Sequence, residues 1–195
     1  MIDAEQAKTL VLRHSEASSQ GRERFAIQSC TLSERGDYWI IRANSEDFVV
    51  RGIQERCYVG VTAHLVNAVS GQIETVGSAR SVDQYLEDKY DVAAAGAMYY
   101  VLGPGFGKDD KHAVILLRQK LECSLQQAVK LVLPASSSWL TGTRRTLLHM
   151  KAMLLREGIS TCIQLRKSPI PAELIDDSVW HWDALKSVLN RVAAK

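Results

Sequence analysis

The spacing of apolar and polar positions changes several times along the chain, and each change predicts a boundary between elements. Over residues 3 to 17, Ala4, Ala7, Val11 and Leu12 recur at helical spacing behind Asp3, a residue suited to cap a first turn. Ser18-Ser19-Gln20-Gly21 closes that segment, so an amphipathic helix is expected. The pattern then shifts toward alternation. Residues 25 to 32 and 37 to 42, rich in β-branched and aromatic side chains, flank Ser33-Glu34-Arg35-Gly36 and read as a hairpin. Asn44-Ser45-Glu46-Asp47 interrupts the alternation and reads as loop. Residues 58 to 76 read as a second hairpin reversed at Ser70-Gly71. Ser81 followed three positions later by Gln84 has capping-box spacing, and opens a helix that carries Val82, Tyr85 and Leu86 on one face.

Beyond this first helix-strands-helix unit the pattern restarts. An apolar strand over residues 97 to 102 ends at Gly103-Pro104-Gly105, and residues 111 to 121 read as a helix. Ser124 and Gln127 open another helix with a second capping-box spacing, which Pro134 ends. Residues 136 to 139 read as loop. Thr143 caps a long helix reaching Glu157, Gly158 stands at its C′ position, and a strand follows over residues 159 to 165. Lys167-Ser168-Pro169-Ile170-Pro171 is a stiff connector to a last helix over residues 182 to 192.

The expected fold class is therefore α+β. A small antiparallel sheet flanked by two helices precedes a second, α/β-sandwich-like unit of order β-α-α-(β)-α-β, the bracketed strand near Trp139 being left open, and a C-terminal helix. The expected division is 1–92, 93–167, and 168–195 as linker and C-terminal helix.

Composition bounds the function classes. The 195 residues are 46% hydrophobic and 24% charged, an ordinary globular balance that excludes disorder. The longest strongly apolar stretch, residues 92 to 102, falls short of the roughly 20 residues of a membrane span. The first residues lack the basic and apolar regions of a secretory signal, and four cysteines show no C-x-x-C pair, so a cytoplasmic protein with buried thiols and no membrane association is expected. A net charge of +2 does not point to nucleic acid. Residues 1 to 90 hold 10 basic and 13 acidic side chains, the remainder 14 and 9, which fits two units of separate origin.

No catalytic, cofactor or metal site is expected from the motifs. Gly107-Lys108 follows a strand and precedes a helix, but Leu102 stands at the first glycine position of a phosphate-binding loop and Asp109 at its hydroxyl position, where an acid would repel phosphate. The 103 to 107 segment is read instead as a turn whose glycines supply positive φ. His14, His64, His112, His149 and His181 have no metal-binding spacing, the cysteines lack a neighbouring histidine, and no serine sits in a G-x-S-x-G elbow. Asp176-Asp177 and Glu46-Asp47 read as solvated edges. The protein is thus expected not to be an enzyme.

Two features suit recognition. Arg144, Arg145, His149, Lys151 and Arg156 decorate the long helix while Leu147, Leu148, Leu154 and Leu155 can face the core; the stripe is either a solvated face or a seat for phosphate or an acidic partner. Trp180 and Trp182 either dock the last helix or anchor a partner protein.

Residues 66 to 87 combine a strand, the Ser70-Gly71 turn, Gly71-x-Ile73, Gly77-Ser78-Ala79 and a Tyr85-Leu86 helix. This run resembles the YrhB-type immunity-protein family of bacterial polymorphic toxin systems, and with the N-terminal helix and the Trp39 hairpin the resemblance covers residues 1 to 90. It implies a small binding protein that neutralises a cognate toxin and carries no catalytic residues. Tyr99-Tyr100-Val101-Leu102, Val114-Ile115-Leu116-Leu117-Arg118, residues 125 to 132, the long helix and Gly158-Ile159 are similar, more faintly, to the C-terminal domain of the ribosomal stalk protein, an architecture shared by Clp-protease adaptors. Ala128-Val129-Lys130 and the uncharged 135 to 143 linker depart from that family. The resemblance implies its fold only.

The leading expectation is an immunity protein that occludes a toxin domain stoichiometrically, with Trp39, Glu46 and Asp47 in the first unit and Trp180 and Trp182 in the second as partner-binding candidates. An intracellular adaptor that recognises a translation or proteolysis component is the alternative, and a small enzyme with an unrecognised site the third.

Overall fold

A computed structural model describes residues 1–134 and 137–194. Part of the loop expected over residues 136 to 139, and of the linker expected over 135 to 143, lies outside the described residues. Those described form seven α-helices and two four-stranded sheets, an α+β fold. The chain divides into two compact units, Met1–Glu87 and Asp88–Lys195.

In the first unit, helix α1 (Ala4–Ser18) starts where Asp3 and Gln6 exchange the reciprocal bonds of a capping box. Strands β1 (Phe25–Leu32), β2 (Tyr38–Ser45), β3 (Val61–Asn67) and β4 (Ile73–Gly77) follow as an antiparallel meander in the order β1-β2-β3-β4. Ala7 and Val11 of α1 pack on Ile41 and Val66, so the amphipathic helix covers one face of the sheet. Helix α3 (Val82–Ala95) opens with the predicted pair: the Gln84 amide donates to Ser81 Oγ, and the Ser81 amide to Gln84 Oε1.

Residues 44 to 47 are not the expected loop. Asn44 and Ser45 are buried and complete β2 by pairing with Ala26 and Phe25 of β1, and the Asn44 side chain binds the Tyr58 backbone: its Nδ2 donates to the Tyr58 carbonyl and its Oδ1 accepts from the Tyr58 amide. Ser45 Oγ then caps the single-turn helix α2 (Glu46–Val49) by accepting from the Phe48 amide. A 3₁₀ turn, Gln54–Arg56, leads into β3.

The second unit runs β5 (Tyr99–Pro104), α4 (Lys111–Leu121), α5 (Leu125–Leu131), β6 (Leu140–Thr141), α6 (Arg144–Arg156), β7 (Thr161–Arg166), β8 (Glu173–Leu174) and α7 (Trp182–Ala194). The open strand near Trp139 thus exists as β6. Its sheet has the order β7-β5-β6-β8; β5 pairs antiparallel with β7 and β6, whereas β6 and β8 are parallel. Ser124 and Gln127 form the second capping box. Gly158, at φ +81°, ends α6 as predicted, its amide donating to Leu155 O while the Ile159 amide reaches Leu154 O, a Schellman closure.

One core joins these elements. Leu102, Leu117, Leu121, Leu131, Trp139, Leu140, Leu147, Met150 and Leu154 are fully enclosed, and Leu185, Val188 and Leu189 of α7 belong to the same cluster. On α6 the buried stripe is Thr146, Leu147, Met150, Met153 and Leu154. Leu148 and Leu155, expected in the core, are exposed, since one position beyond Leu147 and Leu154 lies about 100° around the helix.

The 103 to 107 turn also departs from expectation. Gly103, Gly105 and Gly107 do not have positive φ. Two of them answer instead to close approach. A Cβ on Gly103 would run into the Ser137 carbonyl oxygen, and one on Gly105 would lie 2.7 Å from Ser160 Oγ.

Candidate functional site

Trp39, Glu46 and Asp47 occupy different parts of the first unit. Trp39 is half-buried in the layer between sheet and α1, and its Nε1–H donates to the Ile2 carbonyl at 3.1 Å, so its indole holds the N-terminal segment in place. Glu46 and Asp47 form the first turn of α2 and line a polar cleft of about 300 Å³ with Arg22, Arg24, Arg51 and Arg56. Asp47 pairs with Arg51 at 2.9 Å and Arg56 with Glu23 at 3.6 Å. Such exposed pairs contribute little to stability.

The same unit brings together two histidines fifty positions apart. The rings of His14 and His64 meet edge to face with centroids 5.5 Å apart, and His64 Nδ1 lies 3.1 Å from Thr75 Oγ1. Burial pushes the His64 imidazole below its ordinary value, and the neighbouring His14 adds to the shift. The folded state therefore resists protonation that the unfolded chain accepts. Stability should be level above the unfolded histidine range, near pH 6.5, and fall as pH drops from there through the lowered value. Urea titrations between pH 8 and pH 5 are expected to show this loss in the wild type and a smaller one in His64→Gln.

The second unit contains a larger cleft, of about 680 Å³, within the ordinary range for ligand sites. Its walls come from four stretches: the last turns of α3 with Asp88, Asp91, Val92 and Ala95; the bend and start of β5 through Tyr99 and Tyr100; Thr141 to Arg144; and Pro169 to Ile175. Most of this lining is apolar. Four large side chains in it stay open to solvent, Val92 at 65%, Met98 at 38%, Tyr99 at 48% and Leu174 at 78% exposure.

An ionic network stands along one wall. Arg145 Nε is 3.3 Å from Asp88, its Nη2 is 3.1 Å from Asp177, and Thr146 Oγ1 donates to the other Asp177 oxygen at 2.9 Å. The Asp177 hydrogen bond, with that of Asp88, raises the Arg145 guanidinium above its ordinary value, so this cation is permanent. Arg144 lies 3.6 Å from Asp91, beyond hydrogen-bond distance. Two members of the expected basic stripe are thus committed to carboxylates, while His149 and Arg156 remain exposed on α6.

The two tryptophans near the C-terminus divide the alternatives between them. Trp182 is half-buried against the second unit's core at the first turn of α7 and docks that helix. Trp180 is 71% exposed, with its ring edge-to-face on His181 at 4.9 Å. Of the five candidates, Trp180 projects furthest into solvent, and none of them lines the larger cleft.

The cleft was hidden from sequence reasoning because its walls span residues 88 to 175. The available signal is the apolar stretch over residues 92 to 102, too short for a membrane span and expected as strand from residue 97, which supplies one wall. Among the described residues no group of three or more potential metal ligands converges, and no helix is long and apolar enough to cross a membrane. Compared with protein-family models, curated proteins and solved structures, the chain matches none.

Proposed function

We propose that this protein is an immunity protein, a stoichiometric binder that neutralises a cognate toxin domain by occluding it. The observation that carries the binding part of this reading is the second-unit cleft, where Val92, Tyr99 and Leu174 stay exposed beside an ionic wall. Apolar anchors surrounded by charged groups are the anatomy of a protein interface, and an open patch of this kind would be costly to maintain without a partner. The toxin as partner is supported by the resemblance of residues 66 to 87 and by the helix-and-meander first unit that carries them.

Coexpression with the product of the adjacent upstream gene tests the proposal. Rescue of growth, together with a stable one-to-one complex, is the expected result. A toxic neighbour that is neither bound nor neutralised would sink it. The adaptor reading draws on the β-α-α-β-α-β order of the second unit and would then gain weight, with copurification of a ribosome or Clp ATPase as its own requirement.

A further inference from the structure

We infer that the outer edge of β8 and the cleft beside it form a single recognition surface, which takes an extended segment of a partner protein bearing both aliphatic and basic side chains on the face turned to the cleft. The inference rests on the binding reading above for the identity of the partner, though not for the surface itself.

The backbone supplies the first argument. The Glu173 amide donates to Trp139 O and the Ile175 amide to Thr141 O, so these two residues face β6. Strand alternation turns the N–H and C=O of Leu174 the opposite way, and β8 is the last strand of its sheet on that side. An edge of this kind is a template for strand addition, in which main-chain bonds supply affinity and neighbouring pockets supply choice.

Such a pocket lies immediately alongside. Leu174 is itself part of the cleft wall, and the ladder places Thr141 opposite it and Tyr99 two residues along β5 from the partner of Thr141, all on one sheet face. A strand added along β8 would project alternate side chains toward that face. Aliphatic ones suit the apolar walls.

Charge selects the remainder of the segment. Two carboxylates, Asp88 and Asp91, line the cleft beside one cation, Arg144. Asp91 lies 3.6 Å from Arg144, too far for a hydrogen bond with it. The C-terminal end of α3, with no basic residue in its last turn, also lines the cleft and favours a cation. A lysine or arginine of the incoming strand would therefore meet complementary potential, and an acidic one would be repelled.

The test uses the full-length protein and synthetic peptides. Arg-Val-Leu-Val-Arg-Val, capped at both ends, should bind saturably in an NMR titration and shift the Leu174 amide, while the peptide with glutamate in place of arginine should bind at least tenfold more weakly. N-methylation of alternate peptide amides should weaken binding at least tenfold in one of the two possible registers and leave the other nearly unchanged. Leu174→Ser and Asp91→Asn should each cost fivefold or more, whereas Val59→Asp, at an exposed position outside the cleft, should stay within twofold. Absence of saturable binding, equal binding of the acidic peptide, or indifference to methylation in both registers would overturn the inference. A protein that binds the peptide yet fails to neutralise its neighbour keeps this surface and loses the toxin reading; neutralisation without peptide binding does the reverse.

Discussion

Trp139→Ala is expected to lower the stability of the second unit by about 3 to 5 kcal/mol, the range for removing a large enclosed aromatic side chain. Trp139 is fully buried, and its neighbours come from several elements of one core. Truncation would leave a void that these elements cannot close together. It would also orphan a polar group, since the indole Nε1–H donates to the Leu131 carbonyl at 2.8 Å in the interior. Trp139→Phe is the milder truncation, because it keeps a six-membered aromatic ring while losing the donor and the rest of the indole; a loss of about 1 to 3 kcal/mol is expected. Denaturant titrations followed by far-ultraviolet circular dichroism would measure both variants, and a loss below about 1 kcal/mol for the alanine would contradict this placement of the ring.

Gly103→Ala should be almost as damaging, with a loss of about 3 kcal/mol. The cause is space rather than dihedral angle. The new methyl group would meet the Ser137 carbonyl oxygen, a backbone atom, so no flexible side chain can swing away to accommodate it. The two segments are stitched together at this place, the Trp139 amide donating to Leu102 O at 2.9 Å. Relief would therefore require β5 and the segment leading into β6 to separate. Gly107→Ala is the matched control. Nothing lies within 4 Å of its new methyl group and its φ is not positive, so it should be neutral or stabilise slightly, by less than about 1 kcal/mol.

These two positions also show where sequence reasoning stopped. Helix starts were legible because they are local: Asp3, Ser81 and Ser124 each have a glutamine three residues on, and in all three cases the reciprocal bonds form. The end of α6 was legible for the same reason, in Gly158. Trp139 is expected in a loop with a short strand nearby left open, and it lies just before β6, yet nothing local declares it the largest fully enclosed side chain among the described residues. β6 and β8, two residues each, exist only through partners far away in the chain; no alternating pattern can develop over so short a run. The site was less legible than the fold. Trp39 and Trp182 stood out by residue type, and both are engaged within their own units. Val92, Tyr99 and Leu174 look unremarkable in the chain, and only exposure beside a cleft distinguishes them.

The four cysteines acquire a use from this division of the chain. Cys30 and Cys57 lie in the first unit and Cys123 and Cys162 in the second, each as a half-buried free thiol. Burial pushes the Cys30 and Cys123 thiols above their ordinary values, which suppresses the thiolate that alkylating reagents attack. Labelling at either position is thereby slowed, and local opening of the surrounding structure speeds it. Each unit thereby carries a built-in clock. The rates at which Cys30 and Cys123 become labelled, followed in one sample by peptide mass mapping, will tell whether the halves breathe together or apart.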